Sequence, residues 1–292
     1  MGVSERDPYT GHLTTGHEWN GIKELNTPVP RPVYFFLIAT ALFALAYWVL
    51  MPSWPLRTTY FKGLLGSDQR AVVRQSLQEA QVERAQWTDR IARESLAQIQ
   101  TDPRLMRAIR ETGPALFGDN CAACHGRDAK GNKGFPDLTG QSWLWGGTPD
   151  AIAETIRVGI NSTHPDSRTS QMPAFGRDGI LSRKDIESVV AYVRSLSGLS
   201  TDHMSPDAVA AGRAVFAANC AACHGEDGKG NTEVGSRNLT DRSFLYGSDA
   251  QSLVATVFNG RQGHMPTWED RLSLLDRKIL TLYLVDLHAG NQ

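Results

Sequence analysis

The sequence predicts an all-α chain: an N-terminal single transmembrane helix, an amphipathic linker helix and two tandem copies of one small helical domain. Three observations predict it. Val33 to Leu50 runs eighteen residues without a charge. Ser67 to Gln100 carries apolar residues at a spacing near 3.6 on an otherwise charged stretch. Beyond that the chain repeats itself, position by position. The predicted boundaries are residues 1–32 for an N-terminal segment, 33–56 for the anchor, 57–104 for the helical linker, and 105–198 and 206–292 for the two domains. A net charge of -1 argues against a nucleic-acid partner.

Met1 to Pro32 is polar and contains no apolar signal-peptide core followed by a small-residue cleavage site. Thr15 to Asn26 reads as a small amphipathic segment at the membrane edge, with His12 and His17 as surface or packing residues. The uncharged stretch, as a helix, is roughly 27 Å long, near the thickness of a bilayer core. Tyr34, Tyr47, Trp48 and Trp54 sit near its ends, where aromatic belts form, and Pro52 and Pro55 terminate it. With no ionisable side chain, the span anchors and offers no proton path of its own. In the linker, Val73, Leu77, Ala80, Trp87, Ile91 and Ile99 fall near one face of a long helix. Asp102-Pro103 then starts a second helix, as an N-cap followed by proline at the first helical position.

The repeat is detailed. Gly113, Phe117 and Cys121 match Gly212, Phe216 and Cys220; Lys130-Gly131-Asn132 matches Lys229-Gly230-Asn231; Trp143-Leu144-Trp145-Gly146 matches Phe244-Leu245-Tyr246-Gly247. Met172-Pro173 matches Met265-Pro266, and Tyr192 matches Tyr283. The closing helices are expected at Arg183 to Leu196 and Asp270 to Leu287, and the loop Ser197 to Pro206 joins the copies.

Each copy holds the pentapeptide Cys-Ala-Ala-Cys-His, at Cys121 to His125 and at Cys220 to His224. C-x-x-C-H is the attachment signature of c-type haem. Two residues between the cysteines let both sulfurs reach two vinyl groups on one ring edge, and the histidine then turns under the porphyrin towards the iron. The pattern therefore calls for two covalently attached haem c groups, one through Cys121, Cys124 and His125, the other through Cys220, Cys223 and His224. A zinc site would gather ligands from both cysteine pairs, and a redox dithiol would sit in a βαβ context. Disulfides would leave both histidines unexplained. Covalent haem attachment takes place outside the bacterial cytoplasmic membrane, so the haem domains are expected in the periplasm and the N-terminus in the cytoplasm.

The order of helix, C-x-x-C-H, glycine-rich loop, helix, Met-Pro loop and closing helix resembles class I cytochrome c. That resemblance implies a methionine as the sixth iron ligand, pairing His125 with Met172 and His224 with Met265. His/Met coordination leaves no open position on either iron and suits an electron carrier. His164 and His264 are alternative ligands, while Met51, Met106 and Met204 lie outside the Met-Pro loops. The resemblance also implies a carbonyl acceptor for each axial histidine. Pro136 fits in the first copy; Arg237 stands at the matching place in the second. Trp145, Tyr246 and Arg237 are candidates to bond haem propionates, with packing or surface roles as the alternative.

The whole chain resembles the dihaem subunit III (CcoP or FixP) of cbb3-type cytochrome c oxidases. The residues that carry this are Thr15-Gly16-His17, Trp19, Gly21-Ile22, Glu24-Leu25-Asn26, Pro28, Pro30-Arg31 and Met51-Pro52-Ser53-Trp54-Pro55, joined to the two haem motifs. Asn20 and Val33-Tyr34 depart from the usual pattern at the membrane edge. The resemblance implies an electron relay in the bacterial inner membrane. A cytochrome c or the bc complex would donate electrons. A mono-haem c subunit and the catalytic haem b–copper subunit, where oxygen is reduced, would receive them. On this reading the chain has no substrate site of its own. Two other classes stay open: a free-standing membrane-anchored dihaem carrier, and a dihaem peroxidase, against which the two Met-Pro loops speak.

Overall fold

The computed structural model describes residues 5–140, 142–201 and 204–290. They fall into two compact units, divided between Val82 and Glu83.

The first unit opens with a hairpin where the sequence reading has only a small amphipathic segment. Strand β1, Thr14–Trp19, pairs antiparallel with β2, Ile22–Leu25. Trp19 faces Ile22, which leaves Asn20-Gly21 as a two-residue turn. Both turn residues have positive φ, 51° and 85°. This is the type I′ geometry whose twist matches the strands, and Asn-Gly is its commonest sequence.

Helix α1, Arg31–Leu50, follows, with Pro30 as its N-cap residue. It is apolar all round and buries no residue within the chain. Such a helix matches a bilayer and not water. Its last turn is closed by a returning loop, whose Leu64 and Leu65 N–H groups donate to the Val49 and Leu50 carbonyls at 3.0 and 3.1 Å. The return needs Gly63, at φ 74°, because a Cβ there would lie 2.3 Å from the Leu50 oxygen.

The linker is two helices, not one. Helix α2, Gln69–Arg93, ends before Ser95, which caps α3, Leu96–Gln100, in a reciprocal pair with Gln98. The apolar stripe divides accordingly. Val73 and Leu77 are exposed, while Ile91 and Ile99 are fully buried.

In the second unit, Asp102 caps α4, Pro103–Asn120, accepting from the Arg104 and Leu105 N–H groups, as the sequence predicts. One-turn helix α5, Ala122–His125, and α6, Pro149–Val158, complete the first part of that repeat. Helix α7, Arg183–Leu196, is its closing helix in chain order. The second repeat supplies α8, Pro206–Asn219, one-turn α9, Ala221–His224, α10, Ala250–Asn259, and α11, Leu274–Ala289. In the joining loop, Asp202 and His203 lie outside the described residues.

The closing helices are exchanged. The sequence reading has each repeat close on its own last helix, but α11 packs on α4 and α6, and α7 packs on α8 and α10. At each crossing a glycine admits the other helix. A Cβ on Gly113 would lie 2.6 Å from the Tyr283 ring, and one on Gly212 would lie 1.9 Å from the Ser188 carbonyl oxygen. Phe117 meets Tyr283 with ring centroids 5.9 Å apart, and Phe216 meets Tyr192 at 5.3 Å. The domains expected at residues 105–198 and 206–292 therefore follow chain order, while each packed half draws on both repeats. The exchange is possible because the two repeats present the same glycine notch and the same aromatic pair, so either closing helix fits either notch.

Three cores result. Phe117, Ala129, Ile152, Ile156, Trp268 and Leu280 fill one half. Val189, Val193 and Phe216 fill the other. Ile91, Ile99, Leu105, Ile109, Ile279 and Leu282 fasten the linker helices to α4 and α11. Lys278 strengthens that seam, its Nζ donating to the carbonyls of Ile91, Ala92 and Glu94 at 2.7–3.1 Å.

Two outcomes follow. A protease site built between Leu199 and Ser205 and cut in the folded protein gives two fragments that stay together in size-exclusion chromatography, whereas domains each closed on themselves would separate. Gly212→Ala lowers stability by about 1–3 kcal/mol, the usual cost of overpacking, read from thermal unfolding.

Candidate functional site

Each C-x-x-C-H forms at the end of a long helix. Helix α4 stops at Asn120, Cys121 closes it, and the one turn of α5 presents Cys124 and His125 before Gly126 leads the chain away at φ 75°. The second copy has the same path through Cys220, Cys223 and His224 to Gly225, at φ 78°. All four cysteines are free; Cys121 and Cys220 are half-buried, Cys124 and Cys223 exposed. Burial, helped by the neighbouring cysteine, pushes the Cys121 and Cys220 thiols up to about 11. Burial at these two positions favours neutral sulfur, whether thiol or thioether. Among the described residues there is no cluster of three or more His, Cys, Asp or Glu able to hold a metal ion.

The histidines are fixed as an axial ligand requires. His125 Nδ1 donates to the Pro136 carbonyl at 3.1 Å, and His224 Nδ1 donates to the Arg237 carbonyl at 2.9 Å. Nδ1 is thereby engaged, so that Nε2 is the nitrogen each ring could offer to an iron. Burial lowers the pKa of both rings, partly offset by these bonds, and favours the neutral imidazole that binds a metal. The backbone bond survives the change from proline to arginine. The repeated Lys-Gly-Asn loop braces the motif. Gly131 N–H donates to the His125 carbonyl at 2.8 Å and Gly230 N–H to the His224 carbonyl at 2.7 Å. Asn132 Nδ2 donates to the Cys124 carbonyl at 3.0 Å, a place taken in the second copy by the Ser236 hydroxyl on Cys223. The sequence shows this loop as a repeat without showing that role.

Both motifs open on one cavity of about 510 Å³, which Met172 and Met265 also line. The exchange decides which methionine goes where. Ile160, just after α6, shares a two-way backbone pair with Met265, both bonds 2.9 Å. Arg261, just after α10, pairs in the same way with Met172 at 2.8 and 3.0 Å. Met265 packs on the core that contains Phe117 and Ala129, beside Cys121 and Ala122. Chain order leads one to expect His125 with Met172 and His224 with Met265, but the packing places the methionines the other way round. Met265 lies in the His125 half and Met172 in the His224 half, because each methionine travels with the exchanged helix that follows it.

The two halves interlock at the cavity wall. Gly134 N–H donates to the Leu245 carbonyl at 2.8 Å. The Trp145 ring lies on Gly235, where a Cβ would come within 2.3 Å of it. Two buried donors at this wall have no partner among the described residues: Trp145 Nε1 and Arg237 Nε. The Arg168 guanidinium stands 5.0 Å over Trp145, and that of Arg261 stands 4.0 Å over Tyr246. Buried donors without acceptors call for one. A large apolar ring bearing carboxylates fits both the cavity and these donors, as c-type haem does.

The alternative ligands have other partners. His164 Nδ1 accepts the Asp166 N–H at 3.0 Å, and its Nε2 meets Glu269 Oε2 at 2.6 Å. Arg157 adds bonds to the same Glu269 carboxylate at 3.1 and 3.2 Å. His264 Nδ1 donates to the Asn161 carbonyl at 2.9 Å. Sequence reading gave no role to Glu269 or Asn161, whose partners lie about a hundred residues away.

Glu269 makes a testable acid response. The bond from His164, then those from Arg157, hold its pKa below the ordinary 4.5. A lowered pKa means that the carboxylate stabilises the fold above pH 4.5 and that this contribution fades as pH falls through the folded value. Glu269→Gln therefore unfolds with a shallower pH dependence below pH 4.5 in acid titrations followed by circular dichroism.

Comparisons with known proteins agree along the chain. A family model described as the N-terminal domain of cytochrome oxidase-cbb3, FixP, matches residues 11–58. One for cytochrome c matches 110–197, and one for cytochrome c oxidase, cbb3-type, subunit III, matches 207–284. The Cbb3-type cytochrome c oxidase subunit FixP of Bradyrhizobium sp. (strain ORS 278) is 48% identical over 287 residues, covering 98% of each chain. The subunit CcoP of Azospirillum sp. (strain B510) is 42% identical over 99% of this chain and 100% of its own. That of Cereibacter sphaeroides is 41% identical over 95% of each.

Proposed function

The chain belongs to the FixP/CcoP family of cbb3-type cytochrome c oxidase subunits, and from that premise we propose that it is the membrane-anchored dihaem electron-relay subunit of such an oxidase. Two c-type haems are attached through Cys121 and Cys124 and through Cys220 and Cys223. His125 and Met265 would hold one iron, and His224 and Met172 the other. The observation that carries this reading is the shared cavity, on which two carbonyl-anchored histidines and two methionines converge.

When bound, each haem supplies a one-electron couple, raised in potential by its methionine. The chain's own residues do the rest. With a histidine and a methionine committed to each iron, the chain would offer no coordination site for oxygen or peroxide. Pro136 and Arg237 fix the imidazole planes through their carbonyls. Trp145 and Arg237 offer buried donors to propionates. The one cavity that both repeats line would hold the two rings together.

Helix α1 anchors the chain in the inner membrane, with the N-terminal hairpin in the cytoplasm and the haem halves in the periplasm, where attachment takes place. Electrons arrive from a cytochrome c or the bc complex. They leave for the mono-haem c subunit and then the haem b–copper subunit that reduces oxygen. The chain is thus a relay within an oxidoreductase.

The test is composition joined to activity. The tagged chain, drawn from membranes in mild detergent, carries haem b as well as haem c bands in a reduced-minus-oxidised spectrum, and the preparation consumes oxygen. Haem c alone, without uptake, would make it a free-standing carrier; peroxide turnover by the isolated chain would make it a peroxidase.

A further inference from the structure

Both methionines reach their pockets by crossing from one repeat to the other, and the two crossings meet at one residue. Helix α6 ends at Val158. Gly159, at φ 72°, turns the chain where a Cβ would lie 2.4 Å from the Met265 carbonyl oxygen, and Ile160 then pairs with Met265. Asn161 comes next at φ 49°, a left-handed conformation that asparagine tolerates better than most residues. Its own N–H donates to the Arg168 carbonyl at 2.7 Å, which closes the loop on itself.

That turn directs the Asn161 amide between the crossing segments. Nδ2 donates to the Ser170 carbonyl at 2.8 Å and to the Gly263 carbonyl at 2.7 Å. Oδ1 accepts from the Ser170 N–H at 3.1 Å. The Asn161 carbonyl accepts from His264 Nδ1 at 2.9 Å. Ser170 stands two residues before Met172, and Gly263 two before Met265. Both amide protons are used, one on each crossing. The matching position in the second repeat is Gln262, which is exposed. The clasp therefore exists once for two ligands, although the fold around it is duplicated.

We infer that Asn161 is a positioning residue for both axial methionines, its amide holding the Met172 and Met265 segments together at the point where the repeats exchange. The inference rests on the methionine-ligation reading above. It concerns geometry at the sulfur, not haem attachment, which depends on the cysteines.

The test uses the full-length protein with both haems attached. Three variants are compared with the parent. Asn161→Gly keeps the backbone conformation and removes the amide. Asn161→Asp places a carboxylate oxygen against two carbonyls. Gln262→Ala is the control at the matching position. Three quantities are read: covalent haem content, the near-infrared sulfur-to-iron band of the oxidised protein, and the fraction of reduced haem that binds carbon monoxide. Losing both donated bonds raises the methionine-dissociated, carbon monoxide-binding fraction about tenfold in Asn161→Gly. Asn161→Asp exceeds it, and Gln262→Ala matches the parent. Haem content stays the same, and the band weakens at both haems. If the parent has the band and both Asn161 variants keep it, the clasp is overturned while ligation stands. A loss confined to one haem overturns the claim that one amide serves both. A parent without the band overturns the ligation reading and the clasp with it.

Discussion

Everything in the haem-binding half of the chain depends on a helix crossing at a glycine. In each half, the helix that leads into C-x-x-C-H is notched at Gly113 or Gly212, and a closing helix lies in the notch so closely that a single methyl group would collide with it. The partner in each notch is the closing helix of the other repeat. Once that choice is made, the methionine preceding each closing helix must follow it, and so must the backbone pair that seats the methionine beside Ile160 or Arg261. The placement of each methionine is thus a consequence of helix packing.

The exchange also accounts for the shared cavity. Two domains linked by a loop would each enclose a pocket. Here each pocket is walled by both repeats, Trp145 lies on the loop that backs the second histidine, and Gly134 bonds to the segment that carries Tyr246. A relay benefits from such a wall, since one cavity lined by both repeats would hold its redox groups together. Neither repeat closes a pocket alone, because each packed half takes its closing helix from the other repeat.

Much of this was legible in the sequence because the signals are local. The C-x-x-C-H turns, the Asp102-Pro103 start and the apolar span need only neighbouring residues. The carbonyl behind each histidine, at Pro136 and Arg237, followed from the resemblance and is present. The hairpin had its signal in Asn20-Gly21, but the polar surroundings masked it. The break at Ser95 was visible only as a capping pattern with Gln98. The exchange was not legible at all. A repeat with two equal notches and two equal closing helices has two solutions of the same local energy, and what separates them lies in contacts between crossings, such as Asn161 with Gly263. For the same reason His164 looked available as a ligand, while its partner Glu269 sits far along the chain.

The central claim, that each iron takes its methionine from the other repeat, has one direct measurement. In a His125→Ala background, both haems stay attached through their cysteines, and the remaining sulfur-to-iron band in the near infrared belongs to the iron of His224. Adding Met172→Ala abolishes that band and adding Met265→Ala leaves it, if the methionines are exchanged. The reverse result, with the band lost through Met265 and kept without Met172, would return each methionine to its own repeat and contradict the account.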